Sequence, residues 1–392
     1  MNRTIKLLLK PTPEQAASLQ ETIKQFTSCF NSVNKFGWQN NQKNTVDLHH
    51  ATYQTLKAQY PCLVSDLIIQ ARVKATESLT SAFSLKKKGK KVRCPQSGNC
   101  PARYNSHTFR LSWLNQTVNL SSVGGRLVIP FVVPEYGRKY LGNPTKIADL
   151  LYRKGKLWLH VVVDIAEPEV VQTSEVVGVD LGINRPAVMS NNTFLGKKHW
   201  KELEQRTFRL RRKLQRKGTK SSKRHLRKIA QKQLRRRRDH DHVLSKQIVK
   251  NSPTGGTIVF EQLTGITSST RQRKGTQQRK LHSWSFAQLQ AFTTYKAEEK
   301  GITVEYIDPR NTSKACSRCA YIHKGNRPSQ AIFKCKQCHF QLNADLNASR
   351  NIRSKYLAKI GKPDLSVPQS LGISQSASRS PSLVLGTASR LL

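Results

Sequence analysis

Two cysteine pairs, Cys316-Ser-Arg-Cys319 and Cys335-Lys-Gln-Cys338, constrain this chain more than any other feature. Two residues between thiols is the spacing at which both sulfurs of one turn reach a single tetrahedral metal ion. Two such turns, fifteen residues apart, would fill all four positions with sulfur and leave none for water. The spacing predicts a small ribbon folded around a structural zinc; the competing reading is two unrelated pairs. Four other cysteines carry less. Cys94 and Cys100, in RCPQSGNCP, are too few for a site and read as loop thiols, while Cys29 and Cys62 fall in helical stretches and read as core. No run approaches the roughly 18 apolar residues of a membrane span. The basic, apolar start MNRTIKLLLKPTPEQ meets Pro11 and Pro13 too soon for a signal peptide. A reducing, cytoplasmic setting is therefore expected, with the cysteines as thiols or ligands.

The formal net charge is +45, from 68 Lys and Arg against 23 Asp and Glu. Such an excess points to a polyanion, because neutralising phosphates releases condensed counterions. Charge alone names nucleic acid and not the job, since ribosomal proteins and histones are as basic. A membrane surface is the competing partner; with no lipidation motif or anchored amphipathic basic helix, no membrane association is expected.

Periodicity divides the chain. Residues 1–10 alternate weakly and read as one strand. Thr12-Pro-Glu-Gln15 has the form of a helix-capping box. Leu19, Ile23, Phe26, Phe30 and Val33, then Leu67, Ile68, Ala71 and Ala75, recur at helical spacing, which makes 11–94 helical with a polar break near 39–46. Beyond the basic loop KKKGKKVR the period becomes two: TFRLSWL, TVNLSS, RLVIPFVV and KLWLHVVVD read as short strands of a β-rich module over 95–172. VVGVDLGINRPAVMSNNTFL reads as strand, turn, strand. Residues 200–250 read as an α-hairpin broken near Gly218 and Ser221–Ser222, with seventeen Lys or Arg and no acid from Arg206 to Arg238. Unneutralised, such like charges destabilise a helix, so Arg211, Arg212, Lys213, Arg235, Arg236, Arg237 and Arg238 are candidate nucleic-acid contacts; a merely solvated face is the alternative. TIVFEQL and TVEYIDP read as strands flanking a helix, and 361–392 as a disordered Ser/Pro/Leu-rich tail. Trp113, Trp158, Trp200 and Trp284 could stack on bases, although Trp158 and Trp284 sit in apolar patterns that favour the core.

With so few acids, those embedded in apolar strands are informative. Asp180 follows VVGV, Glu261 ends TIVF, and Asp345 lies at a helix start in LNADLNASRNI. A carboxylate at the end of a buried strand needs a partner or a metal. Three converging would suit two Mg²⁺ ions about 4 Å apart, the arrangement for phosphodiester hydrolysis; taken singly, each could be only a turn or capping carboxylate.

GVDLG, FEQL, the double-cysteine run and ADLNASRNI, in that order, resemble the split RuvC nuclease domain of the TnpB family, transposon-encoded RNA-guided nucleases related to type V CRISPR effectors. The run HSWSFAQLQAFTTYKAEEKGITVEYIDPRNTSKACSRC, with RPSQAIFKCKQC, is similar to that family's most characteristic stretch, and IKLLLKPTPEQ followed by SCFNSVNKF resembles its opening. The likeness spans roughly residues 2–355. It implies an α+β multidomain protein: an RNase H-like (RuvC) core split by a zinc ribbon, a helical recognition lobe and a small β-barrel-like wedge module. The expected divisions are 1–10 and 95–172 for the wedge, 11–94 for the recognition domain, 173–311 and 341–360 for the core, and 312–340 for the ribbon. By the same resemblance Asp180, Glu261 and Asp345 would be catalytic Mg²⁺ ligands, Cys316, Cys319, Cys335 and Cys338 would hold Zn²⁺, and Arg327 would contact a phosphate or the transition state. The implied partners are a guide RNA from the transposon end and a double-stranded DNA target cut beside a short flanking motif by a monomer; the implied setting is the prokaryotic cytoplasm, at the nucleoid. Three positions depart from the pattern: Ala320 and His339 replace a glycine after each second cysteine, and Asn343 replaces a common Asp. None of them removes a ligand. Two alternatives stay open, a nuclease-inactive RNA-guided DNA-binding regulator and a protein-only transposase or resolvase-type nuclease.

Overall fold

The computed structural model describes residues 1–183, 185–196, 200–263 and 284–362 of the chain. It divides into two compact units, one of Met1–Glu167 and one beginning at Pro168.

In the first unit, strand β1 (Asn2–Leu9) leads into helix α1 (Pro13–Gln39). The Thr12 hydroxyl accepts from Gln15 N–H at 3.3 Å while the Gln15 side chain accepts from Thr12 N–H at 3.1 Å. Two otherwise orphaned donors are thus satisfied as the capping box predicts. Helices α2 (Thr45–Gln59) and α3 (Ser65–Lys87) follow, and the spaced apolar side chains Leu19, Phe26, Val33, Leu67 and Ala71 are all buried. Then come β2 (Ala102–Tyr104), β3 (Phe109–Ser112), β4 (Thr117–Ser122), β5 (Gly125–Val132), β6 (Thr145–Arg153) and β7 (Lys156–Asp164). They form one antiparallel sheet in the order β2-β6-β7-β1-β5-β4-β3, with β1 between strands far from it in sequence: Thr4 opposite Val162, Leu8 opposite both Trp158 and Val132. The Tyr104 hydroxyl, on one edge strand, donates to the Ser121 carbonyl on β4 at 2.9 Å, so the sheet curls toward closure around its core.

Two sequence expectations fail here. Trp158 is not core: Leu157, Leu159, Val161 and Val163 of β7 are buried, and period two puts Trp158 on the opposite, half-exposed face. Cys62 is exposed in the turn between α2 and α3, not buried in a helix. Cys29 is buried, and burial pushes its thiol up to about 12.

The second unit is built on β8 (Val176–Asp180), β9 (Ala187–Met189), β10 (Phe194–Leu195), β11 (Thr257–Glu261) and β12 (Thr303–Ile307), in the order β10-β9-β8-β11-β12. The first three form an antiparallel meander, and β8, β11 and β12 run parallel, with Val179 opposite Phe260 and Phe260 opposite Tyr306. Between β10 and β11 stand α4 (Trp200–Lys217) and α5 (Lys220–Lys250). They part at Gly218, whose φ is +64°. The Thr219 hydroxyl caps α5 by accepting from Ser222 N–H at 3.1 Å, so Ser221 and Ser222 open the second helix and do not break the first. Helix α6 (Phe286–Glu298) precedes β12, hairpin β13 (Ile332–Lys334)–β14 (Gln341–Asn343) belongs to the ribbon, and α7 (Ala344–Lys359) closes the described chain. The expected tail lies almost wholly outside the described residues.

Both faces of this sheet are covered. Val177, Val179 and Phe260 pack with Leu244 and Ile248 of α5 and Leu289 of α6, whereas Val176 and Val259 pack with Ile352 and Leu357 of α7. Gly178 lies on the α7 face, where a Cβ would stand 2.2 Å from the Ser349 carbonyl oxygen and 2.7 Å from the Arg353 nitrogen. Only glycine admits the helix backbone so close to the strand.

Candidate active site and metal centre

Period two also decides where the acids face. Asp180 shares a face with Val176 and Gly178, and Glu261 with Val259, and that face is the one α7 covers. Each acid ends its strand, and the strands are adjacent and parallel, so both lie at one edge of the sheet. Asp345 stands in the first turn of α7, whose N-cap is Asn343; the Asn343 side chain accepts from the Asp345 and Leu346 N–H groups at 3.1 Å each. The position lacking the usual Asp thus serves as the cap, a role Asn fills as well.

The three acids interact electrostatically. Burial, then the nearby charges of Glu261 and Asp345, hold the Asp180 carboxyl well above the usual carboxylate range, with Arg327 opposing them. Burial also raises Glu261, against a hydrogen bond from Thr312 and the charge of Lys355. The Arg327 guanidinium donates from Nη2 to Asp345 Oδ1 at 3.0 Å and to the Gln330 carbonyl at 2.6 Å. A half-buried cluster of hard oxygen donors with one guanidinium against it suits divalent cations such as Mg²⁺.

Thr312 is a contact the sequence reading missed. Its hydroxyl donates to Glu261 Oε1 at 2.5 Å and lies 2.9 Å from the Pro309 carbonyl. The segment carrying it, from Asp308 to Ser317, is held by α7 side chains four residues apart and hence on one helix face. Asn351 donates to the Thr312 and Ala315 carbonyls, both at 2.7 Å. Asn347 donates to Ala315 O at 2.8 Å and accepts from Ser317 N–H at 3.0 Å. Lys355 reaches Asp308 O and Arg310 O at 2.8 and 3.0 Å. The available signal was Asn347, Asn351 and Lys355 at spacing four after Asp345.

The four ribbon cysteines come together. Their sulfurs lie within 4.8 Å of one another, and among the described residues no other group of three or more His, Cys, Asp or Glu does so. Cys316–Cys338 and Cys319–Cys335 are 3.7 and 3.6 Å apart, close to the ~3.8 Å edge of a tetrahedron with ~2.3 Å metal–sulfur bonds. Arg318 N–H points to Cys316 Sγ, and the Gln337 and Cys338 N–H groups point to Cys335 Sγ, at 3.4–3.5 Å. Burial raises Cys335, but those backbone bonds and its neighbouring thiols outweigh it and bring the thiol down to about 7; burial pushes Cys316 up to about 12. The set fits a closed zinc site. Ala320 and His339, in the glycine positions, take φ of +60° and +57°.

On the basic hairpin, Arg211, Arg212, Lys213, Arg235, Arg236 and Arg238 are exposed. Arg211 also donates to Gln233 Oε1 at 3.4 Å, and Arg238 lies over the Phe292 ring at 5.8 Å. Arg237 is turned inward to Glu204, at 2.6 Å. Trp284 packs against the core beside Phe286, as expected, and Trp113 packs edge-on to Phe131. The Trp200 side chain lies outside the described residues. No described helix is long and apolar enough to cross a membrane.

Two family models match the chain: OrfB_IS605, a probable transposase, over 160–263, and the Cas12f1-like TNB domain over 286–352. The CRISPR-associated endodeoxyribonuclease Cas12f1 of Sulfoacidibacillus thermotolerans is 47% identical over 105 residues, 27% of this chain and 23% of that protein. The TnpB-like protein MJ0751 of Methanocaldococcus jannaschii is 30% identical over 146 residues, 36% of this chain and 52% of that one. The chain therefore spans between about a quarter and a half of these relatives. In fold it resembles the Cas12f1 of a Cas12f1–sgRNA–target DNA complex, with a TM-score of 0.61 at 17% identity over 86% of this chain and 83% of that one. It also resembles the mini-RNA-guided endonuclease CRISPR-Cas_phi3, with a TM-score of 0.56 at 11% identity over 94% of each chain. The α+β fold and the four-cysteine cluster are those expected.

Proposed function

We propose, from its likeness to TnpB-like proteins and from its site, that this chain is an RNA-guided DNA endonuclease of the TnpB family, cutting target DNA beside a short flanking motif by two-metal hydrolysis. The observation that carries the reading is the convergence of Asp180, Glu261 and Asp345, from three separated segments, on one sheet edge. The strand order, an antiparallel meander extended by two parallel strands, supports an RNase H-like core.

Asp180, which feels both other carboxylates, would hold the metal together with Glu261 and Asp345. When bound, Mg²⁺ supplies an activated water and neutralises the charge that builds on the leaving oxygen. The protein's part is to hold three carboxylates in fixed register, where a bound cation would offset the burial and repulsion that disfavour the charge of Asp180 and the burial that disfavours that of Glu261. Arg327 neutralises Asp345 in the free protein, and on release from it would reach a phosphate oxygen. The four cysteines hold zinc and fold the ribbon. The exposed arginines of α4 and α5 grip phosphate backbone without reading bases. Base pairing to a guide RNA from the transposon end reads sequence, while the helices and curled sheet of the first unit, as recognition lobe and wedge, grip the heteroduplex and the flanking motif. The complex works as a monomer in the prokaryotic cytoplasm, at the nucleoid.

The test is programmed plasmid cleavage. The chain is expressed with RNA from its own element's end, the guide is reprogrammed, and targets with randomised flanks are offered in Mg²⁺. Depletion of one flank subset, only with the matching guide, is the expected result. Guide-dependent binding without depletion would favour the regulator, and cutting indifferent to the guide would sink the RNA-guided reading.

A further inference from the structure

Asp345 and Glu261 lie on segments more than eighty residues apart, yet one helix governs both. Helix α7 carries Asp345 in its first turn and, on the face marked by Asn347, Asn351 and Lys355, grips the backbone of the strap 308–317 at Asp308, Arg310, Thr312, Ala315 and Ser317. The strap in turn presents the Thr312 hydroxyl to Glu261 Oε1. Thr312 is 4% exposed, so water does not compete for that bond.

Resting on the two-metal reading above, we propose that Thr312 is the positioning residue for Glu261, fixing Oε1 so that Oε2 is the oxygen presented to the metal, and that α7 sets this register through Asn351. A hydroxyl has one proton, and the turn alone would be satisfied by Thr312 donating to Pro309 O. The shorter contact to Glu261 is what a purely local turn does not need. A carboxylate with one oxygen bonded loses its freedom to rotate and meets the ion in a single orientation, as outer-shell partners of ligands do.

The test uses the full chain and Mn²⁺ alone, with bound ion measured by electron paramagnetic resonance. Glu261→Gln serves as the baseline, and cleavage is assayed in parallel. Thr312→Val keeps the shape and removes the hydroxyl; it is expected to weaken Mn²⁺ binding at least ten-fold. Thr312→Ser restores the hydroxyl and should bind within about two-fold of the parent. Asn351→Ala, which frees the strap and leaves Thr312 in place, should show a smaller loss of the same kind. Thermal melts in chelator report folding separately, and Thr312→Ala is the second variant should valine disturb the fold. Thr312→Val titrating like the parent while Glu261→Gln does not would overturn the proposal. A parent that binds no Mn²⁺ would overturn it together with the metal reading. A parent that binds Mn²⁺ but cuts nothing would sink the nuclease reading alone, and the affinity comparison would still decide for or against Thr312.

Discussion

The ribbon and the carboxylate cluster meet where Arg327 bonds Asp345, but they are built on opposite terms. In the ribbon, four sulfurs already stand within 4.8 Å of one another, and backbone N–H groups already point at them. The three acids are not gathered to that degree; burial disfavours the charge of Asp180 and Glu261, and the neighbouring carboxylates add to it at Asp180. A site meant only to fold can reach its lowest energy in the folded chain. One meant to bind ions and substrate keeps an unsatisfied electrostatic demand for them, at a cost in stability.

The comparison breaks first at Asp180→Ala. Cleavage should fall at least about a thousand-fold, worth ~4 kcal/mol of barrier, while guide-dependent binding in a mobility-shift assay is retained; equal loss of both would make the acid structural. Cys335→Ser should do the reverse, abolishing zinc content by atomic absorption and lowering the melting temperature of the second unit by the equivalent of several kcal/mol. Unchanged stability would show that the ribbon folds without metal.

Asp180→Asn sharpens the contrast through pH. The folded carboxyl of Asp180 is raised, so the native state holds its proton more tightly than the unfolded chain. That contribution is complete below the unfolded value near 3.9 and is lost as pH rises through the folded one. In chelator, the variant should therefore melt a few degrees above the parent at pH 8 and level with it near pH 4. A constant difference would mean that packing, not charge, separates them. Smallest of all, Ala320→Gly and His339→Gly should each stabilise the ribbon by about 1 kcal/mol in thermal melts with zinc content unchanged, since both replace a side chain at positive φ.

What the sequence made legible was local. The capping box at Thr12, the knuckle spacing and the break at Gly218 each depend on residues a few positions apart, and each stands where it was expected. The acids were legible because an Asp after VVGV or a Glu after TIVF contradicts its surroundings. Other features depend on distant partners. Strand β1 slots between β5 and β7, more than 120 residues away. Trp158 takes its face from the register of a whole sheet. β6, as TKIADLLYR, mixes charge into both faces because both of its ends are exposed. Arg237 looked like its neighbours until Glu204, 33 residues earlier, proved to be beside it. Thr312 was invisible for the same reason: nothing near it in sequence names Glu261 as its partner.

The close seating of α7 on Gly178 has a consequence for synthesis. Strand β8 and Asp180 leave the ribosome more than 160 residues before α7 does. At ~5–20 residues per second, that is a wait of roughly ten to thirty seconds. Over that interval one face of the central strand lacks the helix that covers it, and the basic hairpin emerges in between. The carboxylate cluster is therefore among the last parts of the described chain to be completed, well after the basic hairpin has emerged.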